Sequence, residues 1–171
     1  MTISARLAAR PNLRFLLAHP SHLLALGFGA GLAPVAPGTF GTLVAVPIFR
    51  WLDPRLPPLE FLVLIAALYV AGVWICGFTA RALGMEDPKC IVWDEIVAFL
   101  LVLFFTPRAL AWQVGGFVLF RLFDALKPGP VRYVESRFRG GLGVMADDIV
   151  AAFLTLVCLT LARLAADRLG G

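Results

Sequence analysis

Residues 61–80 read FLVLIAALYVAGVWICGFTA, twenty residues without a charge, bracketed by Glu60 and Arg81. As a helix this run reaches about 30 Å, the thickness of a bilayer hydrocarbon core. It predicts one spanning helix and sets the solvent in which the rest is read. The whole chain fits that solvent. Of its 171 residues, 60% are hydrophobic and only 15% charged, with a mean hydropathy of +0.88. An average soluble domain is roughly 45–50% apolar and 25% charged. Disorder is excluded by the hydrophobicity, and too few polar residues remain to cover an ordinary soluble surface. The length suits one domain. Sixteen glycines and twelve prolines exclude a simple coiled coil.

Other apolar runs extend the pattern. Residues 15–49 carry no charge but are broken by Pro20, Pro34, Pro37 and Pro47. They divide into an apolar piece at 22–33, a Pro/Gly loop at 34–41 and a helix from about 42 to 52. Whether 22–33 is re-entrant, interfacial or spanning stays open. Ile96–Pro107 and Ala109–Phe120 are two 12-residue runs separated by Arg108. Each is about 18 Å of helix, too short to span alone, and Pro107 breaks any continuous helix. A hairpin of two short helices follows. The last helix is expected at 149–162, extendable back to Val144. The fold class expected is all-α, a polytopic integral membrane bundle with short or broken helices.

The net charge is +4, from thirteen arginines and two lysines against eleven acids. A basic balance suits nucleic acid or an anionic membrane face, and this hydropathy favours the membrane. Tracing the chain through the proposed helices puts Asp94, Glu95, Asp124, Asp147 and Asp148 on one side with the 34–41 loop. Ten Lys/Arg fall on that side: Arg6, Arg10, Arg14, Arg81, Lys89, Arg121, Lys127, Arg132, Arg137 and Arg139. Five fall on the other: Arg50, Arg55, Arg108, Arg163 and Arg168. The excess predicts that the acidic side is cytoplasmic. Arg6, Arg10 and Arg14 ahead of apolar residues have the grammar of a signal peptide, but His19, Pro20 and His22 interrupt the apolar region, so none is expected. Cys76, Cys90 and Cys158 have no pair spacing, so neither a disulfide framework nor a zinc site is expected.

Four segments carry candidate chemistry. In VWDEIV (92–97), Asp94 and Glu95 point about 100° apart on a helix. One reading is a metal ligand beside an orienting group, the other a solvated helix start. In FRLFDALKPGP (120–130), Arg121, Asp124 and Lys127 form a stripe at i, i+3 and i+6. It reads either as intrahelical ion pairs or as a metal-binding carboxylate flanked by cations that suit a phosphate ester. In GGLGVMADDIV (140–150), one of Asp147 and Asp148 would cap the last helix, and the other is an acid beside an apolar span. APGTFGT (36–42) reads as a turn with Thr39 as N-cap, where free backbone N–H groups favour an anion. His22, beside this loop in sequence, is a candidate for phosphate contact or proton transfer. A G-x-S-x-G elbow, a P-loop and a D-x-D motif are all absent. What is left is a carboxylate-rich site with nearby cations, and hard carboxylate oxygens suit Mg²⁺.

Together, HLLALGFGAGLAPVAPGTFGT (22–42), IVWDEIV (91–97), FRLFDALKPGP (120–130) and GGLGVMADDIVA from Gly140 to Ala151 resemble the bacterial phosphatidylglycerophosphatase A family. The resemblance runs from His22 to Leu164. Many members carry serine where Thr42 stands here, which keeps the hydroxyl. The segment 84–90 and both termini match little. The domain reading that follows is a basic N-terminal segment at 1–21, a membrane-embedded domain at 22–165 and a tail at 166–171. The resemblance implies a Mg²⁺-dependent integral membrane lipid phosphatase of the bacterial inner membrane. It would hydrolyse phosphatidylglycerol phosphate to phosphatidylglycerol and inorganic phosphate. The catalytic candidates are Asp94, Glu95, Asp124 and Asp148. The metal candidates are those four with Asp147. Arg121 and Lys127 would neutralise the phosphoryl oxygens, and Gly38, Thr39, Gly41, Thr42 and His22 complete the phosphate-binding candidates. The bilayer and the lipid substrate are the expected partners, with no role for nucleic acid. The rival classes are a membrane transporter and a non-catalytic membrane scaffold. A headgroup transferase is disfavoured by the missing D-G-x₂-A-R pattern.

Overall fold

The computed structural model describes residues 11–86 and 88–169. Arg6 and Arg10 of the basic segment, and Gly170 and Gly171 of the tail, lie outside the described residues. Within them the chain is all helical, with no strand. The first short helices are α1 (Leu13–Ala18) and α2 (Pro20–Ala25). Asn12 caps α1 by accepting the Phe15 N–H at 3.0 Å, and His19 caps α2 by accepting the Ser21 N–H at 3.1 Å. A 3₁₀ segment, Gly27–Leu32, follows, kinked at Phe28 and Gly29, where φ is 58° and 109°. The 22–33 piece is therefore two short elements with a kink, not one continuous helix.

Helix α3 (Pro37–Leu52) begins five residues earlier than the sequence predicts. Ala36, in the left-handed region at φ 47°, turns the chain, and Pro37 takes the first helical position, where its missing N–H costs nothing. Thr39 is thus in the first turn rather than at the N-cap. Helix α4 (Pro58–Leu83) contains the whole 61–80 run and stops at Gly84, whose φ of 69° lets its N–H close on Ala80 and Arg81. Helices α5 (Trp93–Phe105) and α6 (Leu110–Leu126) form the expected hairpin around Pro107. A short helix α7 (Gly129–Arg137) leads to α8 (Gly140–Leu169).

The start of α8 corrects the sequence expectation. Asp147 and Asp148 do not open the helix; they lie two turns inside it. Residues 140–146 look like a loop by their glycines, yet they are helical, and Gly141 serves packing. A side chain at Gly141 would strike the Val73 carbonyl and lie 2.8 Å from the Gly77 nitrogen. The glycine lets α8 cross α4 backbone to backbone.

Helix α5 is the centre of the bundle, with Trp93–Leu100, Val102 and Leu103 all buried. It packs on α3, α4, α6 and α8. Phe99 meets Phe120 at 5.6 Å and Phe117 at 5.8 Å between ring centroids. At one end Arg108 forms a fork with Asp53, at 2.8 and 3.0 Å, tying the α5–α6 turn to the α3–α4 turn. The first turn of α5 and the end of α6 lie at the other end. Among the described residues two helices, α4 and α8, are long and apolar enough to cross a membrane. Both turn large apolar side chains outward, including Val63, Val70 and Trp74 on α4 and Phe153, Val157 and Leu161 on α8.

Candidate active site

Two contacts fix the start of α5. The Val92 N–H donates to the Ala25 carbonyl at 2.9 Å, and the Trp93 indole donates to the Leu68 carbonyl at 3.2 Å. The next two residues, Asp94 and Glu95, are thereby held in the first turn, where the helix N-terminus favours negative charge. Asp148 comes in from α8. Asp94, Glu95 and Asp148 are all buried, and each offers one carboxylate oxygen within 4.8 Å of the others'. Asp94 Oδ1, Glu95 Oε2 and Asp148 Oδ2 are buried without a hydrogen-bond partner. A buried, unpartnered carboxylate oxygen is costly unless a cation or proton meets it, and here each of the three clustered acids carries one.

The other two acids are differently placed. Asp124 meets Arg121 at 2.6 Å, one turn away on α6. Arg121 also approaches Glu95 Oε1 at 3.7 Å and the Thr42 hydroxyl at 3.5 Å. Lys127, in a left-handed conformation just past α6, reaches Asp147 Oδ2 at 2.8 Å. Adjacent residues on a helix diverge by about 100°, so Asp148 turns to the buried cluster while Asp147 turns to the lysine. The i, i+3, i+6 stripe thus ends as an ion pair within α6 and a second one across to α8.

All five acids line a cavity of about 340 Å³ with Arg121, Lys127, Lys89, Pro37 and Gly38. Gly38 closes one wall. A side chain there would strike Glu95 Oε1 and come within 3.1 Å of both terminal nitrogens of Arg121. Thr42 donates its hydroxyl to the Gly38 carbonyl at 2.8 Å and touches the site through Arg121. Gly41 packs on Val92, where a side chain would lie 2.5 Å from its Cβ. Gly41, Thr42 and Thr39 are not in the lining, so of the 36–42 segment it is Ala36, Pro37 and Gly38 that face the cavity.

His22 is placed elsewhere. It is buried, stacks on Phe15 at 4.2 Å, and shares a 3.0 Å hydrogen bond with Thr79. Burial, and then the neighbouring His19, push its pKa below the usual histidine value. It does not line the carboxylate cavity. Lys89 is the charged lining residue that the sequence reading did not count among the site candidates. Its only sequence signal is being one of two lysines, five residues before Asp94.

The phosphatidylglycerophosphatase A family model matches residues 23–163. The chain belongs to that family. Phosphatidylglycerophosphatase A of Escherichia coli strain K12 is 39% identical over 156 residues, covering 91% of this chain and 90% of that one. The phosphatidylglycerophosphatase A of Haemophilus influenzae is 40% identical over 149 residues, covering 86% and 91%. A Bacteroides thetaiotaomicron protein, named provisionally as a phosphatidylinositol-3-phosphatase, is 39% identical over 148 residues, covering 82% and 92%. No solved structure matches the chain. Membership in the phosphatidylglycerophosphatase A family makes this protein a phosphatase, a hydrolase of phosphate monoesters.

Proposed function

We propose that the protein hydrolyses the terminal phosphate of phosphatidylglycerol phosphate with a divalent cation, Mg²⁺, held by Asp94, Glu95 and Asp148. The observation that carries the metal is a cluster of three buried acids, each with an unpartnered carboxylate oxygen and each offering an oxygen within 4.8 Å of the others'. Hard oxygen donors of this kind fit Mg²⁺. When bound, the ion supplies Lewis acidity and charge neutralisation for the phosphoryl group.

The chain's own residues do the rest. Arg121 and Lys127 face the charge on the phosphoryl oxygens. Asp124 and Asp147 hold these two cations in place by ion pairs at 2.6 and 2.8 Å. The missing side chain at Gly38 keeps room beside Glu95 and Arg121 for the phosphate. Membership in the family and two relatives named as phosphatidylglycerophosphatase A support the substrate.

The same reading places the protein in a bacterial inner membrane as a multi-pass helical bundle. The outward apolar faces of α4 and α8 favour lipid contact. The acid-bearing end also holds Arg81, Lys89, Arg121, Lys127, Arg132, Arg137 and Arg139, and this favours a cytoplasmic active site. The lipid tails would lie along the apolar helices with the headgroup at the interface.

The test is phosphate release by the detergent-purified protein, with Mg²⁺ and with a chelator. Phosphatidylinositol 3-phosphate serves as the second substrate because of the Bacteroides relative. Mg²⁺-dependent release from phosphatidylglycerol phosphate is expected, and faster than from the inositol lipid. Release undiminished by chelation would remove the metal, and preference for the inositol lipid would remove the substrate.

A further inference from the structure

Three cations line the cavity, and two are committed. Arg121 is paired with Asp124 and close to Glu95, and Lys127 is paired with Asp147. Lys89 is exposed and has no acidic partner among the described residues. A lone exposed lysine is ordinarily a solvated rim residue. Its backbone here is unusual, because it is pinned on both sides. Pro88 is buried, and its carbonyl accepts the Ile91 N–H at 2.8 Å. The Cys90 carbonyl packs so closely on Gly31 that a side chain at 31 would strike it. Val92 is tied to Ala25 at 2.9 Å. The segment between α4 and α5 therefore fixes the backbone at Lys89 beside the cavity that this residue lines.

The charge balance gives that position a use. Five carboxylates and three cations line the cavity, and the divalent cation proposed above would bring their formal sum to zero. An anionic substrate adds charge to this balanced site, and Lys89 is the lining cation that no described acid already engages. Resting on the function proposed above, the substrate carries two phosphates. The reacting monoester belongs with the buried carboxylates and their paired cations. The second phosphate is a diester, separated from the first by a glycerol unit and bearing one negative charge. It stays nearer the lipid.

We propose that Lys89 binds the phosphodiester of the lipid substrate, distinguishing it from lipids that carry a phosphate monoester alone. The contact is made in the ground state and in the transition state alike, so it lowers KM rather than raising kcat. It is an exposed charge contact, so salt screens it.

The experiment uses the full-length protein in mixed micelles with wild type, Lys89→Gln and Lys89→Arg. Wild-type turnover of phosphatidylglycerol phosphate is measured first, and its absence would overturn the underlying reading before Lys89 is addressed. Given turnover, Lys89→Gln is expected to raise KM about fivefold with kcat within about twofold. Lys89→Arg is expected to restore most of the loss. The fall of kcat/KM with added salt should be shallower in Lys89→Gln. On phosphatidic acid, which has a monoester and no diester, wild type and Lys89→Gln should have equal kcat/KM. An equal KM for both proteins on phosphatidylglycerol phosphate would make Lys89 a solvated rim residue and overturn the proposal. A loss confined to kcat, or an equal loss on phosphatidic acid, would assign the lysine to the reacting phosphate and overturn it too. A KM effect that vanishes when anionic carrier lipid is replaced by a neutral one would assign it to the bilayer surface, again against the proposal.

Discussion

Gly38 on α3 and Glu95 on α5 are in direct opposition: the space a side chain at 38 would take is occupied by the Glu95 carboxylate. The neighbour that would have to move is the end of a flexible side chain. At Gly141 on α8 the neighbour is the Val73 carbonyl, fixed in the backbone of α4. The two glycines should therefore fail differently. Gly38→Ala is expected to fold, with Tm within a few degrees of wild type, and to lose about 10- to 100-fold in kcat/KM because Glu95 and Arg121 are displaced. Gly141→Ala is expected to cost about 1–3 kcal/mol of stability by forcing α8 off α4. Thermal unfolding in detergent alongside phosphate release checks both. A Gly38→Ala enzyme with native turnover would show that the wall at Gly38 has no part in the site.

Metal binding has a readout separate from turnover. With three buried acids clustered, each carrying an unpartnered oxygen, the cation proposed above would relieve their mutual repulsion. Mg²⁺ should raise Tm, by an amount equal to about 2.7 kcal/mol at a hundredfold excess over Kd. Asp148→Asn is expected to have a metal-free Tm at or above that of wild type, to lose the Mg²⁺-induced rise and to lose at least about 100-fold in activity. Asp124→Asn, which frees Arg121, is expected to lose activity similarly while still inserting in the membrane and keeping most of the rise. A full Mg²⁺ shift in Asp148→Asn would take Asp148 out of the metal site.

Much of this arrangement could be read from local patterns. The charge-free run between Glu60 and Arg81 became α4, and Pro107 broke the α5–α6 hairpin where expected. The five acids were identifiable by their place at the ends of apolar runs. The starts of α3 and α8 were not. Gly38, Gly41 and Gly141 have loop propensity, and only contacts distant in sequence, with Glu95, Val92 and Val73, explain why they sit in helices. The division of the acids was equally hidden. Asp147 and Asp148 are the same residue type side by side, and only the position of α6 sends one to Lys127 and the other to Asp94 and Glu95. Lys89 stayed unread because an isolated lysine in a connecting segment has no periodicity to mark it.

His22 gives a prediction in the opposite direction. Its pKa is lowered by burial first and His19 second, so the unfolded chain, with histidine near 6.5, binds a proton more readily than the folded one. The resulting stability is present above about pH 6.5 and is lost as pH falls through the lower, folded value. His22→Gln, which keeps a hydrogen-bonding group for Thr79, should show a smaller drop in Tm between pH 7.5 and pH 5 than wild type. Because His22 does not line the cavity, its kcat/KM should stay within about threefold at neutral pH. A loss comparable to that of Asp124→Asn would bring His22 back among the phosphate-binding groups.

The orientation proposed above is testable at the two ends of the bundle. Asp53 and Arg108 join two turns at one end, and the carboxylate cavity lies at the other. If α4 and α8 cross the bilayer, positions 81, 132 and 139 share one side, cytoplasmic in the orientation proposed above, and position 55 faces the opposite one. Single cysteines made by Arg81→Cys, Arg132→Cys, Arg139→Cys and Arg55→Cys test this, in a background with Cys76, Cys90 and Cys158 replaced by alanine. With a membrane-impermeant maleimide, the first three should label in inside-out vesicles and stay protected in spheroplasts, and Arg55→Cys should do the reverse. All four labelling from one side would show that the helices do not cross. Positions 81 and 139 labelling from opposite sides would separate the segments that bring Asp94 and Asp148 together. Neither result is compatible with one carboxylate site at one membrane face.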